Sequence, residues 1–322
     1  MSIIEVQSVS YSYPDSSARA LNELSLSVQE GDFVGIVGPS GAGKSTLALA
    51  LSGAIPHHFR GNFFGKILVA GMDTCTVALT DISKIVGSIT QDINAQMVAS
   101  IVEDELLFGL ENFAVPHTEI PERITYALET VGISHLRFRE IASLSGGQKQ
   151  KVAIAALLAL QPQVMVLDEP TAALDPTSSE LIFQTLSELN KYKGITVVVI
   201  EQKVGLLAKY CSKIAVMDKG SICAFGSGEE VFSQVDLLQK VGVDVPRCVR
   251  VSKGVQELSH QSEYAHLLGE ADKIICDETT LSVQSAAKQL AHCVGSLQHR
   301  SISLTENSET PVTNDMELSK ET

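Results

Sequence analysis

A lysine and a hydroxyl residue, Lys44 and Ser45, stand inside the run Gly38-Pro39-Ser40-Gly41-Ala42-Gly43-Lys44-Ser45-Thr46, which fits the pattern G-x-x-x-x-G-K-S/T. The chemistry of such a run is phosphate binding. Gly41 and Gly43 let the backbone pass close to an anion, successive N–H groups turn inward, and a helix start aims its positive end at the same point. Lys44 is placed to reach β- and γ-phosphates, and the Ser45 hydroxyl to ligate Mg²⁺. Further along, Asp168 and Glu169 stand side by side after an apolar run. Two carboxylates at a strand end can divide labour, Asp168 holding a metal ion through water and Glu169 polarising the water that attacks a phosphate. Alone, such a pair also suits a solvated turn; the phosphate loop in the same chain favours the catalytic reading.

These groups work only if the surrounding elements hold them. Residues 33–37, Phe-Val-Gly-Ile-Val, read as a short buried strand, and residues 46–51 as the start of a helix, so the loop has the strand-loop-helix setting it needs. Residues 164–167, Val-Met-Val-Leu, lack polar alternation, as expected of a strand covered on both faces, and ligands bind at the carboxyl ends of such strands. Residues 196–200, Thr-Val-Val-Val-Ile, read as another strand and lead into Glu201-Gln202-Lys203. Leu144-Ser145-Gly146-Gly147-Gln148 precedes an apolar stretch, 152–160, that reads as a buried helix with Ser145 as its N-cap. Free N–H groups at a helix start can receive a phosphate. A cap alone leaves Gly146, Gly147 and Gln148 unaccounted for.

The order of phosphate loop, LSGGQ run and Asp168-Glu169 resembles the ATPase subunit of an ABC transporter, over residues 5 to about 230. The resemblance implies an α/β fold: an ABC-type P-loop NTPase core with an N-terminal antiparallel β subdomain, a helical signature subdomain and a small C-terminal extension. It implies ATP and Mg²⁺ as ligands. Two ATPase domains of this family sandwich two ATP molecules, so Ser145, Gly146, Gly147 and Gln148 would act on the partner's nucleotide. Tyr13 resembles the aromatic that stacks on adenine, although a half-buried strand aromatic satisfies the same pattern. Gln91, after a strand expected over 84–90, resembles the glutamine that joins Mg²⁺ to the transport partner, and Asp175 lies in the loop that communicates across the dimer. One position departs from the family: Gln202 stands where a histidine usually contacts the γ-phosphate. A neutral amide donates a hydrogen bond but cannot become a cation, which weakens transition-state stabilisation. Slow hydrolysis by Glu169 and a regulatory nucleotide site whose partner hydrolyses ATP both stay open.

Residues 102–112 and 55–61 resemble energy-coupling factor (ECF) ATPases, which serve importers of vitamins and of Ni²⁺ or Co²⁺. That resemblance implies three partners: a second ABC ATPase subunit, either a copy of this chain or a paralogue; a transmembrane coupling subunit docking on residues 92–112; and a substrate-binding membrane subunit. An ordinary amphipathic helix is the alternative for residues 92–112. His57-His58 have no Cys or carboxylate cluster beside them and read as loop residues rather than metal ligands.

The 322 residues suffice for one large core and a smaller appendage. No apolar run reaches the roughly eighteen residues that span a bilayer, and no basic, apolar leader is expected, so the reading is a peripheral protein on the cytoplasmic face of the membrane. A net charge of −14 argues against nucleic acid as a partner. A soluble, non-transport ABC ATPase would more often carry two cassettes or long basic insertions, and neither appears. Cys75, Cys211, Cys223, Cys248, Cys276 and Cys293 lack C-x-x-C spacing and read as reduced, mostly buried thiols. Punctuation divides the chain into an ATPase domain over 1–235 with a helical insertion over about 95–145, a C-terminal extension over 236–300 that helps pairing, and a disordered acidic tail over 301–322.

Overall fold

The computed structural model describes residues 1–14, 16, 18–251, 253 and 281. Ten strands are formed among them: β1 (Ser2–Ser12), β2 (Leu21–Gln29), β3 (Phe33–Val37), β4 (Asn62–Val69), β5 (Met72–Asp73), β6 (Val86–Ile89), β7 (Val164–Asp168), β8 (Thr196–Ile200), β9 (Lys213–Asp218) and β10 (Ser221–Gly226). The helices are α1 (Lys44–Leu51), α2 (Ala54–His57), α3 (Leu79–Ser83), α4 (Ile93–Gln96), α5 (Val102–Asn112), α6 (Ile120–Val131), α7 (Gly146–Ala159), α8 (Pro176–Lys193), α9 (Val204–Tyr210), α10 (Gly228–Phe232) and α11 (Val235–Val241).

Two kinds of strand sequence make two sheets. β2 alternates buried and exposed residues over most of its length, the pattern of a half-covered antiparallel strand, and it joins the sheet β2-β1-β4-β5. β3, β7 and β8 are buried at every residue and lie inside the second sheet, ordered β10-β9-β3-β8-β7-β6. That sheet is parallel from β9 to β6, and β10 runs antiparallel at its edge. α1 touches β4 of the first sheet and β7 and β8 of the second. One apolar cluster accordingly spans all three, from Ile4, Val6 and Tyr11 through Leu47 and Leu51 to Val166 and Val198. The opposite face of the second sheet is covered by α8 and α9, where Phe183 stacks on Phe33 at 6.2 Å and meets Tyr210 at 5.8 Å. The expected α/β core with an antiparallel subdomain is the one observed.

Between β6 and β7 the chain is helical. α6 buries Ile120, Ile124, Ala127, Leu128 and Val131, one face of a helix, against α7, and ends at Gly132 in the left-handed conformation. α8 opens with Asp175 as N-cap and Pro176 in its first turn and closes at left-handed Gly194. The strand expected from residue 84 begins at Val86 instead, because α3 ends with Lys84 as its C-cap. Met1–Pro246 form one compact unit, which extends beyond the boundary expected at 235 because α11 buries Val235 and Leu238. Most of the extension and all of the acidic tail, with Cys276 and Cys293, lie outside the described residues. Of the other thiols, only Cys248 is buried; Cys223 is exposed and Cys75 and Cys211 are partly covered. The Cys211 sulfur nevertheless turns inward toward Gly35, and burial pushes its pKa well above the ordinary thiol value.

Candidate active site

The loop from β3 to α1 is shaped by backbone. Gly43, at φ +95°, caps α1 in the left-handed conformation, and a Cβ there would stand 2.3 Å from the Ala20 carbonyl oxygen. Lys44 is 7% exposed and folds its ammonium back over the loop, donating to the Gly38 carbonyl at 2.8 Å and the Pro39 carbonyl at 2.9 Å. Burial lowers its pKa, and the Glu169 and Asp168 carboxylates act in the opposite direction. Tyr13 lies just past β1, partly buried; its hydroxyl shares a 3.2 Å hydrogen bond with Thr46 Oγ1 and its ring meets Tyr11 edge-on at 5.0 Å.

Asp168 is the last residue of β7. Its Oδ1 is buried and has no hydrogen-bond partner. Burial raises the carboxyl's pKa; the Ser45 hydroxyl lowers it, and so, more weakly, does the Lys44 charge. A buried carboxylate oxygen left without a partner, next to a serine hydroxyl, suits a hard cation that takes oxygen ligands.

Glu169 follows at φ +50°, a strained conformation for a residue with a side chain, costing on the order of 1 kcal/mol. Its N–H donates to the Ile200 carbonyl at 2.9 Å, and its own carbonyl accepts the Ala172 N–H at 3.2 Å. The strain aims the carboxylate between two amides. Gln91 Nε2 donates to Oε2 at 3.1 Å and Gln202 Nε2 to Oε1 at 2.6 Å. Gln91, Glu169 and Gln202 follow the neighbouring strands β6, β7 and β8, so three carboxyl ends of one sheet converge here.

The LSGGQ run is placed elsewhere. Ser145 caps α7 in a reciprocal box: its Oγ accepts the Gln148 N–H at 3.3 Å, and its own N–H donates to Gln148 Oε1 at 2.9 Å. Gly146 and Gly147 face Leu174 and Ser178, where a Cβ on either would make an ordinary van der Waals contact at 3.4 Å. Asp175 accepts the Ser178 N–H at 3.0 Å and the Ser178 hydroxyl at 2.6 Å, and these bonds hold its pKa below the ordinary value. Within one chain, then, Ser145, Gly146, Gly147, Gln148 and Asp175 form a group apart from the phosphate loop. His57 Nε2 bonds the Thr74 carbonyl at 2.9 Å, a loop-fastening contact.

Sequence reasoning passed over Glu201 and Lys203. Both flank Gln202, and Glu201 is almost fully buried together with Thr171. Two opposite charges directly after the apolar run 197–200 were the available signal, since buried charge requires partners.

Fold and site together define a P-loop ATPase with a second, antiparallel sheet. The family described as ABC transporter matches residues 21–172. A putative ABC transporter ATP-binding protein of Pyrococcus abyssi is 39% identical over 251 residues, covering 78% of this chain and 90% of that protein. The energy-coupling factor transporter ATP-binding protein EcfA1 of Caldanaerobacter subterraneus is 39% identical over 266 residues, 80% of this chain and 90% of that protein. Among solved structures, CbiO1 of Clostridium perfringens, described as part of the ABC transporter complex CbiONQ, superposes with a TM-score of 0.66 at 32% identity, covering 76% of this chain and 96% of that one. The chain belongs to the ATP-binding proteins of ABC transporters, a family of nucleotide-binding ATPases whose members here include ECF subunits.

Proposed function

We propose that this chain binds and hydrolyses ATP to energise an ECF-type importer of a micronutrient: a vitamin, a vitamin precursor, or Ni²⁺ or Co²⁺. The observation that carries the ATPase reading is the Glu169 carboxylate, bracketed by Gln91 and Gln202 at the strand ends beside the phosphate loop. The likeness to EcfA1 and CbiO1 supports the importer type. Among the described residues no helix is long and apolar enough to cross a membrane, which is compatible with a subunit seated on the cytoplasmic face through a transmembrane coupling subunit and a substrate-binding membrane subunit.

In this reading the backbone of residues 38–46, through the N–H groups that follow Pro39, and the Lys44 ammonium hold the β- and γ-phosphates, and Tyr13 covers the adenine. Ser45, Asp168 and Gln91 are the residues that would hold Mg²⁺. When bound, Mg²⁺ neutralises charge developing on the phosphate oxygens. Glu169 accepts a hydrogen bond from the attacking water and polarises it once Gln91 or Gln202 releases one of its oxygens. The Gln202 amide then donates toward the γ-phosphate. Ser145, Gly146, Gly147 and Gln148 act on the nucleotide of a second ATPase subunit, a copy or a paralogue, and ATP shared between the two favours the closed pair.

The test is affinity co-purification from the native membrane, with ATPase rates for the recovered complex and its Glu169→Gln variant. A small coupling membrane protein and a second ATPase should co-purify, and Glu169→Gln should lower turnover about 100-fold while nucleotide stays bound. Lys44→Ala should abolish nucleotide binding at this site; retained binding would contradict the phosphate-loop assignment. Recovery with soluble factors alone would remove the transport reading. The 2.6 Å bond that ties Gln202 to Glu169 favours one second reading, a regulatory site whose partner hydrolyses ATP. Complex turnover insensitive to Glu169→Gln, and rising on Gln202→His, would select it.

A further inference from the structure

Behind Gln202 lies a charge cluster that the site chemistry leaves unused. Glu201 is 2% exposed. Its Oε2 accepts the Thr171 hydroxyl, and its Oε1 accepts the Gln202 N–H at 2.8 Å and the Lys203 N–H at 3.2 Å. Lys203 sends its ammonium to the other side, donating to the Thr171 carbonyl at 2.8 Å, the Leu174 carbonyl at 3.1 Å and Ser179 Oγ at 2.8 Å. An ammonium has three protons, and here each has an acceptor. Helix dipoles oppose this placement. Lys203 is the N-cap of α9, and its ammonium lies by the first turn of α8, two positive helix ends. The carbonyl bonds therefore have to hold it there.

Four of these six bonds join two segments, residues 201–203 after β8 and residues 171–179 leading into α8; the other two, to the Gln202 and Lys203 N–H groups, brace the first segment itself. The second segment begins two residues past Glu169 and contains Asp175. We propose that Lys203 and Glu201 are positioning residues that bolt the turn carrying Gln202 to the loop running from Glu169 to Asp175. The inference rests on the reading of Glu169 as the catalytic carboxylate. The bolt keeps Gln202 Nε2 and Glu169 Oε1 in register and transmits a displacement of Asp175, on the group meant for the partner, to that pair. Such fixing matters more for an amide than for a cation. An amide acts through a directional hydrogen bond that weakens steeply when misaligned, whereas a charge acts over several ångströms.

Lys203→Met removes the three donors with little change in length, and Lys203→Arg keeps charge and donors. The full chain is compared by amide hydrogen exchange without nucleotide and by steady-state ATP hydrolysis. In Lys203→Met the Ala172 and Leu174 amides should exchange at least about tenfold faster while those of β7 and β8 keep their protection. The kcat should fall about tenfold or more with KM for ATP within about twofold, and Lys203→Arg should recover most of it. Unchanged exchange at Ala172 and Leu174 would overturn the bolt whatever the activity. Faster exchange throughout the core, with kcat and KM moving together, would also overturn it by making Lys203 a general stabiliser. Local loosening in a protein whose wild type hydrolyses nothing would support the bolt as a mechanical link and remove the catalytic reading instead. Should Lys203→Met not fold, Glu201→Gln, which keeps shape and one acceptor, is read on the same two measurements.

Discussion

A buried carboxylate oxygen without a partner costs free energy until a ligand reaches it, and Asp168 Oδ1 is in that position. The sign of the pH effect follows from its raised pKa. The folded chain holds this proton more tightly than the unfolded chain, so stability falls as pH rises from the ordinary value of 3.8 through the folded value. Asp168→Asn should therefore raise the Tm of the nucleotide-free protein at pH 7, and the gain should shrink as the pH is lowered toward 4, as read by calorimetry at several pH values. With Mg²⁺ and ATP present the ranking should invert, the wild type gaining more from the ligand than the variant. Lys44, Ser45, Asp168 and Glu169 stood out from spacing, because phosphate chemistry constrains which types stand where, and Gln202 only from its place in the family pattern. Lys203 did not: a lysine after a strand looks solvated, and only the fold reveals that its ammonium turns back to two carbonyls and a hydroxyl 24 to 32 residues away in the chain.

At the scale of elements, burial on both faces left the plainest trace. Residues 33–37 and 196–200 form β3 and β8 as read, and β7 ends one residue later than its apolar run because Asp168 still pairs with Ile200. The strand read from residue 84 began two residues late, since two elements with apolar residues, α3 and β6, abut without a glycine or proline between them. Packing behind the sheet sets another expectation. Phe183 is fully buried between Phe33 and Tyr210, so Phe183→Ala should destabilise the chain by about 3–5 kcal/mol and lower the Tm by roughly 10 °C. Nucleotide affinity measured well below the new Tm should stay within about twofold, because β3 and α1 keep their other contacts.

For the molecule as a whole, the order β10-β9-β3-β8-β7-β6 could not be read, since it depends on pairings between strands far apart in the chain, such as Phe33 with Val197. The compact unit Met1–Pro246 contains both sheets and every residue of the candidate site. Residues 1–246 expressed alone should fold and bind ATP with a Kd within about twofold of the full chain, which equilibrium titration would check; loss of binding would mean that later residues contribute to the site. One crossing in that unit has a further consequence. At Ala20, Gly43 and Gly220 three backbones come so close that a Cβ at position 43 or 220 would stand 2.3 or 2.8 Å from the same Ala20 oxygen. Gly31 and Gly71, equally left-handed, open onto free space. In a saturation scan the first pair should admit no replacement while the second admits several, so the lineage of this chain is free to vary at its turns but locked at the knot where the first sheet leans on the phosphate loop.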